Sequence, residues 1–180
     1  MVTRALGAMV MFLAVIAAGC TGSGDSSVEI RRLSLDDATG VVDSRLVVPD
    51  AEVSVDGGGS LRIDAGGPMT VRLFAVPDIY LENAKLNYRV QVRTEGVQGT
   101  VYPEMWCQFA GMGEYFSRGL QKQLSGTTDW TTLETPFFLK AGENPDTVRL
   151  NMVITGPGTV WVDDIRLDRE PLGQVPGASD

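Results

Sequence analysis

Leu86-Asn87-Tyr88-Arg89-Val90-Gln91-Val92-Arg93 alternates without a slip: Leu86, Tyr88, Val90 and Val92 fall on one side, Asn87, Arg89, Gln91 and Arg93 on the other. Successive side chains of an extended chain point to opposite faces, so this spacing predicts a strand with one oily and one wet face. Thr94 to Gly99 then carries turn chemistry. Val101 to Phe109 repeats the alternation, with Met105, Cys107 and Phe109 on one face and Tyr102, Glu104, Trp106 and Gln108 on the other.

Working outward, strand patterns recur at Val53-Ser54-Val55, Ser60 to Asp64, Met69 to Val76, Thr131 to Leu139, Val148 to Ile154 and Thr159 to Leu167. Glycine, proline, asparagine and aspartate clusters separate them, as at Asp56-Gly57-Gly58-Gly59 and Gly156-Pro157-Gly158. No comparable helical period appears. Many short strands at this spacing predict an all-β fold, a two-sheet antiparallel β-sandwich of the jelly-roll type.

The chain opens differently. Arg4 precedes an apolar run from Ala5 to Ala18, too short to span a bilayer comfortably, which reads as an export signal. Its end, Ile16-Ala17-Ala18-Gly19-Cys20, resembles the lipobox of bacterial lipoproteins. The resemblance implies loss of residues 1–19 and lipidation of Cys20, which anchors the protein to a membrane without a spanning segment; each buried methylene contributes about 0.8 kcal/mol. Residues 20–27 form a small polar tether, 28–170 the folded body, and 171–180 a proline- and glycine-containing tail. Thr21, rather than an aspartate, follows the cysteine, which resembles lipoproteins sorted to the outer membrane where the organism has two membranes. The expected location is the cell envelope.

The 161 residues from Cys20 onward suit one domain and carry 14 basic against 23 acidic residues, a net charge of −9. That balance argues against nucleic acid and anionic membrane surfaces as electrostatic partners. With Cys20 lipidated, Cys107 stands alone and is expected in the core. The chain has no histidine, which removes the usual general base and the commonest zinc ligand. No Walker loop or Gly-x-Ser-x-Gly elbow occurs, so the body reads as non-catalytic.

Ser125-Gly126-Thr127-Thr128-Asp129-Trp130-Thr131, then Val148-Arg149-Leu150-Asn151, then Gly158 to Leu167 with its Trp161-Val162-Asp163-Asp164-Ile165, together resemble the carbohydrate-binding modules with a galactose-binding-domain-like jelly roll. The resemblance implies that Trp130 and Trp161 pack, and that a structural calcium could sit on Asp163 or Asp164. The opening acid that relatives use beside it has no counterpart here. It also implies a concave sheet face for sugar. The polar faces of the two best strands supply the candidates: Arg89 and Gln91 with Tyr102, Glu104, Trp106 and Gln108, and Tyr115 from the glycine-rich stretch Gly111 to Arg118 as a rim, with Phe116 pinning that stretch. An indole offers flat apolar area to a pyranose, and arginine, glutamine and glutamate satisfy hydroxyls. Two readings remain open: a glycan-binding lipoprotein, and an envelope assembly lipoprotein gripping a protein partner with the same face.

Overall fold

The computed structural model describes residues 27–172; the stretch expected to be an export signal, and Cys20, lie outside the described residues. Nine strands follow in order: β1 Val28–Leu33, β2 Val48–Asp50, β3 Ser60–Ala65, β4 Met69–Pro77, β5 Ala84–Phe109, β6 Gly113–Arg118, β7 Leu124–Leu139, β8 Thr147–Ile154 and β9 Gly158–Pro171. All pairings are antiparallel. A single 3-10 turn, Ser44–Leu46, is the only helical piece among the described residues, none of which forms a helix able to cross a membrane.

The alternating stretches at 86–93 and 101–109 belong to one bent strand, the 26-residue β5. Residues 94–99 do not make a hairpin turn within one sheet; they fold the strand over from one layer into the other. Gly96, at φ +61°, takes a backbone conformation that costs a side-chain-bearing residue, and the register against β7 slips at Thr94, Val97 and Val101. Before the bend β5 lies between β9 and β7; after it, between β8 and β6. Two layers result. The first runs β2-β3-β9-β5-β7, with β1 beside β3 on β9; the second runs β4-β8-β5-β6. Thr155 to Pro157 carries the chain from β8 into β9 at the same end as the bend. There Gly158, at φ +148°, packs so closely that a Cβ would lie 2.6 Å from Val97 Cα.

Between the layers the inward faces meet. Leu86, Tyr88, Val90, Val92, Met105, Cys107, Leu133, Leu150, Met152, Ile165 and Leu167 are all buried, each apolar one contributing about 1.5–3 kcal/mol relative to exposure. Cys107 is a core residue, as expected, and burial pushes its thiol pKa up to about 12. Four elements differ from expectation. Val53 to Val55 is a loop, and β1 and β2 are strands without a strong apolar period. Gly113 to Arg118 forms β6, paired with Glu104 to Phe109, because a tight turn at Met112, whose N–H donates to the Phe109 carbonyl, folds the stretch back as a hairpin.

Candidate functional site

Because β5 changes layers, its two polar faces look out from opposite sides of the sandwich. This corrects the expectation that all the candidate residues share one surface. Arg89 lies on the outside of the first layer, in ion pairs with Asp168 at 3.1 Å, Glu170 at 3.2 Å and Glu134 at 3.3 Å. Gln91 beside it donates to Thr132 Oγ1 at 3.0 Å. These groups cross-link β9, β5 and β7.

The outside of the second layer holds Tyr102, Glu104, Trp106 and Gln108 of β5, Arg149 and Asn151 of β8, and Glu114, Phe116 and Arg118 of β6, aligned by register. Glu104 is buried at the centre. Trp106 Nε1 donates to its Oε1 at 2.7 Å and Asn151 Nδ2 at 3.1 Å, while Arg118 Nε donates to Oε2 at 2.7 Å. Burial alone would raise the Glu104 carboxyl; the donors from Trp106, Arg118 and Asn151 outweigh it and hold the group below the usual carboxylate range. Asn151 Oδ1 is buried without a hydrogen-bond partner among the described residues.

Around this carboxylate the aromatic surface is ordered. The Trp106 indole, half-buried, meets Phe116 at 4.9 Å between ring centroids and 42° between planes. The Arg149 guanidinium lies 5.6 Å from the Trp106 ring and that of Arg118 4.5 Å from Phe116, distances suited to cation–π attraction. Each arginine also has an acid: Arg118 has Glu104, Arg149 has Glu114 at 2.6 Å, and Arg72 on β4 has Asp43 at 2.7 Å. The face is therefore polar and aromatic but locally balanced in charge.

Two expectations in the glycine-rich stretch change places. Phe116, expected to pin a loop, points outward beside Trp106 and is half exposed. Tyr115 sits across from inward-facing Cys107, meets Phe109 edge-on at 6.0 Å and donates its hydroxyl to the Met112 carbonyl. It belongs to a second feature, an open groove of about 380 Å³ between β6 and the end of β7, lined by Phe109, Met112, Tyr115, Phe116, Phe137 and Phe138 with Lys140 and Glu143. Gln108 is exposed near that end, paired in register with Glu114 and Thr147.

Trp161 is buried, as expected of a packing residue, and donates to Asp50 at 2.9 Å. The aspartate pair beyond it lies at a bulge: the register aligns Asp163 with Gln91 and Arg166 with Arg89, leaving Asp164, at φ +42°, and Ile165 opposite the single residue Val90. Asp163 accepts from the backbone N–H groups of Val55 and Asp164; Asp164 accepts from Arg32 and Arg166. Burial pushes the Asp163 carboxyl up, and although it works in the same direction on Asp164, the two arginines hold that group low. A calcium ion here would have to displace these donors. Among the described residues no three histidine, cysteine, aspartate or glutamate side chains converge as a metal-ligand set.

Asn151, Arg149, Arg118, Phe116, Glu114 and Arg72 are the residues of the Trp106 face that sequence reasoning did not nominate. Alternation along 148–154 puts Arg149 and Asn151 on the polar side of their strand, but nothing in a linear pattern says that this strand lies against Trp106.

No protein-family model matches the chain, and no curated protein matches it in sequence. Its shape is similar to that of solved carbohydrate-binding modules. One is the CBM22-1–GH10 portion of Clostridium thermocellum endo-1,4-β-D-xylanase 10B, complexed with xylohexaose (TM-score 0.58, 12% identity); the match covers 79% of this chain and 28% of that one. Another is the CBM22-1 xylan-binding domain of Paenibacillus barcinonensis Xyn10C (TM-score 0.57, 12% identity, 82% of this chain and 98% of that one). The tandem CBM22-1–CBM22-2 domain of the same protein matches with a TM-score of 0.56 and 13% identity over 88% of this chain and 50% of that one. At such identities the likeness establishes the fold, a jelly-roll β-sandwich of the carbohydrate-binding-module kind.

Proposed function

We propose that the chain is an exported lipoprotein, anchored to the cell envelope through Cys20, whose sandwich binds a neutral glycan across the outside of the second layer without acting on it. The observation that carries the reading is the Trp106–Phe116 pair: two aromatic rings in contact on an outer face, where a solvated surface would favour polar groups. Glu104, fixed by three donors, holds the indole in place, and Arg149 and Arg118 flank the ring pair with hydrogen-bonding groups. Because every arginine on the face has a carboxylate partner, a neutral sugar suits it better than an acidic one. Both carboxylates beside the rings, Glu104 and Glu114, are tied to arginines, which favours binding over hydrolysis. The xylan-binding function of the structural neighbours makes xylan the first probe.

The test is affinity electrophoresis of the full-length protein in detergent through gels containing xylan, β-glucan or galactan. Retardation by at least one glycan is expected, with Trp106→Ala weakening it about 30-fold, the equivalent of about 2 kcal/mol for a buried aromatic anchor. No retardation in any gel, or retardation indifferent to Trp106→Ala, would remove the reading. A stoichiometric protein copurifying from detergent extract and released by the same substitution would assign the face to assembly instead.

A further inference from the structure

The exposed large aromatics are not scattered. Tyr80, Phe138 and Tyr115 are 80%, 60% and 54% exposed, with Met112 at 51%. The register puts all four near one end of the sandwich. Phe138 pairs with Lys85 near the start of β5, the loop 78–83 leads into that start, and Met112 and Tyr115 flank the hairpin after Phe109, whose ring lies 6.3 Å from Phe137. Tyr80 takes φ +47°, a left-handed backbone uncommon for a bulky residue, and Asp78 and Asn83 in the same loop do likewise. The fold gains no buried side chain from Tyr80 in return.

Val28 enters the fold at this same end. It pairs with Arg169, which pairs with Leu86, which pairs with Phe137, so all lie at one level across the first layer. Eight residue steps lead from Cys20 to Val28, a reach of at most about 28 Å and a root-mean-square span of about 16 Å for a small polar coil. The opposite end, at Gly158, is about 35 Å farther along β9. The root-mean-square span is less than half of about 35 Å, so an anchor at Cys20 favours the aromatic end over the other.

We propose that this end of the sandwich rests on the surface of the anchoring membrane, with Tyr80, Met112, Tyr115 and Phe138 at the boundary between headgroups and acyl chains. The inference depends on the lipid anchor at Cys20. Amphipathic aromatic rings favour that boundary. Lys140 and Glu143 in the groove offset each other, while Asp78, Glu82 and Asp146 in the adjoining loops leave this end negative, so it suits zwitterionic rather than anionic lipid. The domain then stands on end, leaving the Trp106 face open at its side.

The lipidated full-length protein is placed in phosphatidylcholine vesicles containing a doxyl-labelled lipid, with an environment-sensitive fluorophore on Met112→Cys or, at the opposite end, on Ser125→Cys. Cys107 is buried and does not compete for label. Quenching about fivefold stronger at position 112 is expected. Adding Tyr80→Ser and Phe138→Ser, both exposed, is expected to bring it down to the level at 125 without changing the melting temperature. Equal quenching at both positions, with mass spectrometry showing acylated Cys20, would overturn the proposal while leaving the anchor intact. Unmodified Cys20 would remove the anchor and the proposal together. A position 112 signal that ignores lipid but responds to xylohexaose would overturn it in favour of a sugar subsite.

Discussion

Glu104→Gln removes a charge from the centre of the Trp106 face without changing the size of the side chain. In the native protein the carboxylate takes donors from Trp106 and Asn151 on one oxygen and from Arg118 on the other, at 2.7, 3.1 and 2.7 Å. The glutamine oxygen can keep the first two as weaker neutral bonds, but its amide N–H then confronts the Arg118 N–H. A hydrogen bond to a charged group contributes about 1.5–3 kcal/mol, so losing one and weakening two, less the relief of no longer burying a charge, gives about 2–3 kcal/mol. For a domain of this size that lowers the melting temperature by about 5–10 °C. The pH dependence gives the sign. Glu104 is held below its ordinary range in the fold, so its contribution is fully present above the unfolded-state pKa of about 4.3 and is lost as pH falls through the lower folded value. Urea titrations of both proteins should therefore show the full difference at pH 7 and a shrinking one below pH 4. A variant within 0.5 kcal/mol of the parent at pH 7, or an undiminished deficit at pH 3, would refute the account of how this face is held.

Two further outcomes bear on the fold. Gly158→Ala should cost about 3 kcal/mol in urea titration, because the new Cβ meets the Val97 backbone at a φ that disfavours any side chain; a loss under 1 kcal/mol would show that the corner between layers is not tight. Tyr88→Phe should stabilise the protein by about 1 kcal/mol in thermal melts, since the Tyr88 hydroxyl is buried with no partner among the described residues; destabilisation would reveal one.

The period-two pattern of 86–93 and 101–109 carried the fold class, because alternation is a property of the chain itself. It also carried which side chains face inward: Tyr88, Met105 and Cys107 are buried where their parity puts them. What it could not carry was the relation between the two stretches. A Thr-Glu-Gly turn and a bent strand that changes layers have the same composition, and only the partners decide between them: β9 before the bend, β8 after it. The strand at Gly113–Arg118 escaped for a related reason, since its glycine masks an alternation that pairing with Glu104 to Phe109 makes real. Tyr102, Glu104, Trp106 and Gln108 were thus legible as one face, while their partners from β8 and β6, and the separation from Arg89 and Gln91, were not.

That bend separates two surfaces built from the same strand and similar residue types. On the first layer, Arg89 is saturated by Asp168, Glu170 and Glu134, and such a network joins strands while leaving little for a visitor. On the second, Arg118 and Arg149 spend one side on carboxylates and lay the other over Phe116 and Trp106, rings that remain partly open. Both faces carry arginines paired to carboxylates, but the second adds the partly open rings of Trp106 and Phe116. Since desolvating an ion pair to seat a ligand costs more than covering a ring already fixed in place, the second face is where binding would be favourable. The stack also runs along β5 and β6 toward the end where Val28 enters. A glycan lying on Trp106 and Phe116 would then run close to the membrane, so substitutions at Phe116 should affect glycan affinity in proportion to ring area, while those at Tyr80 should leave it unchanged.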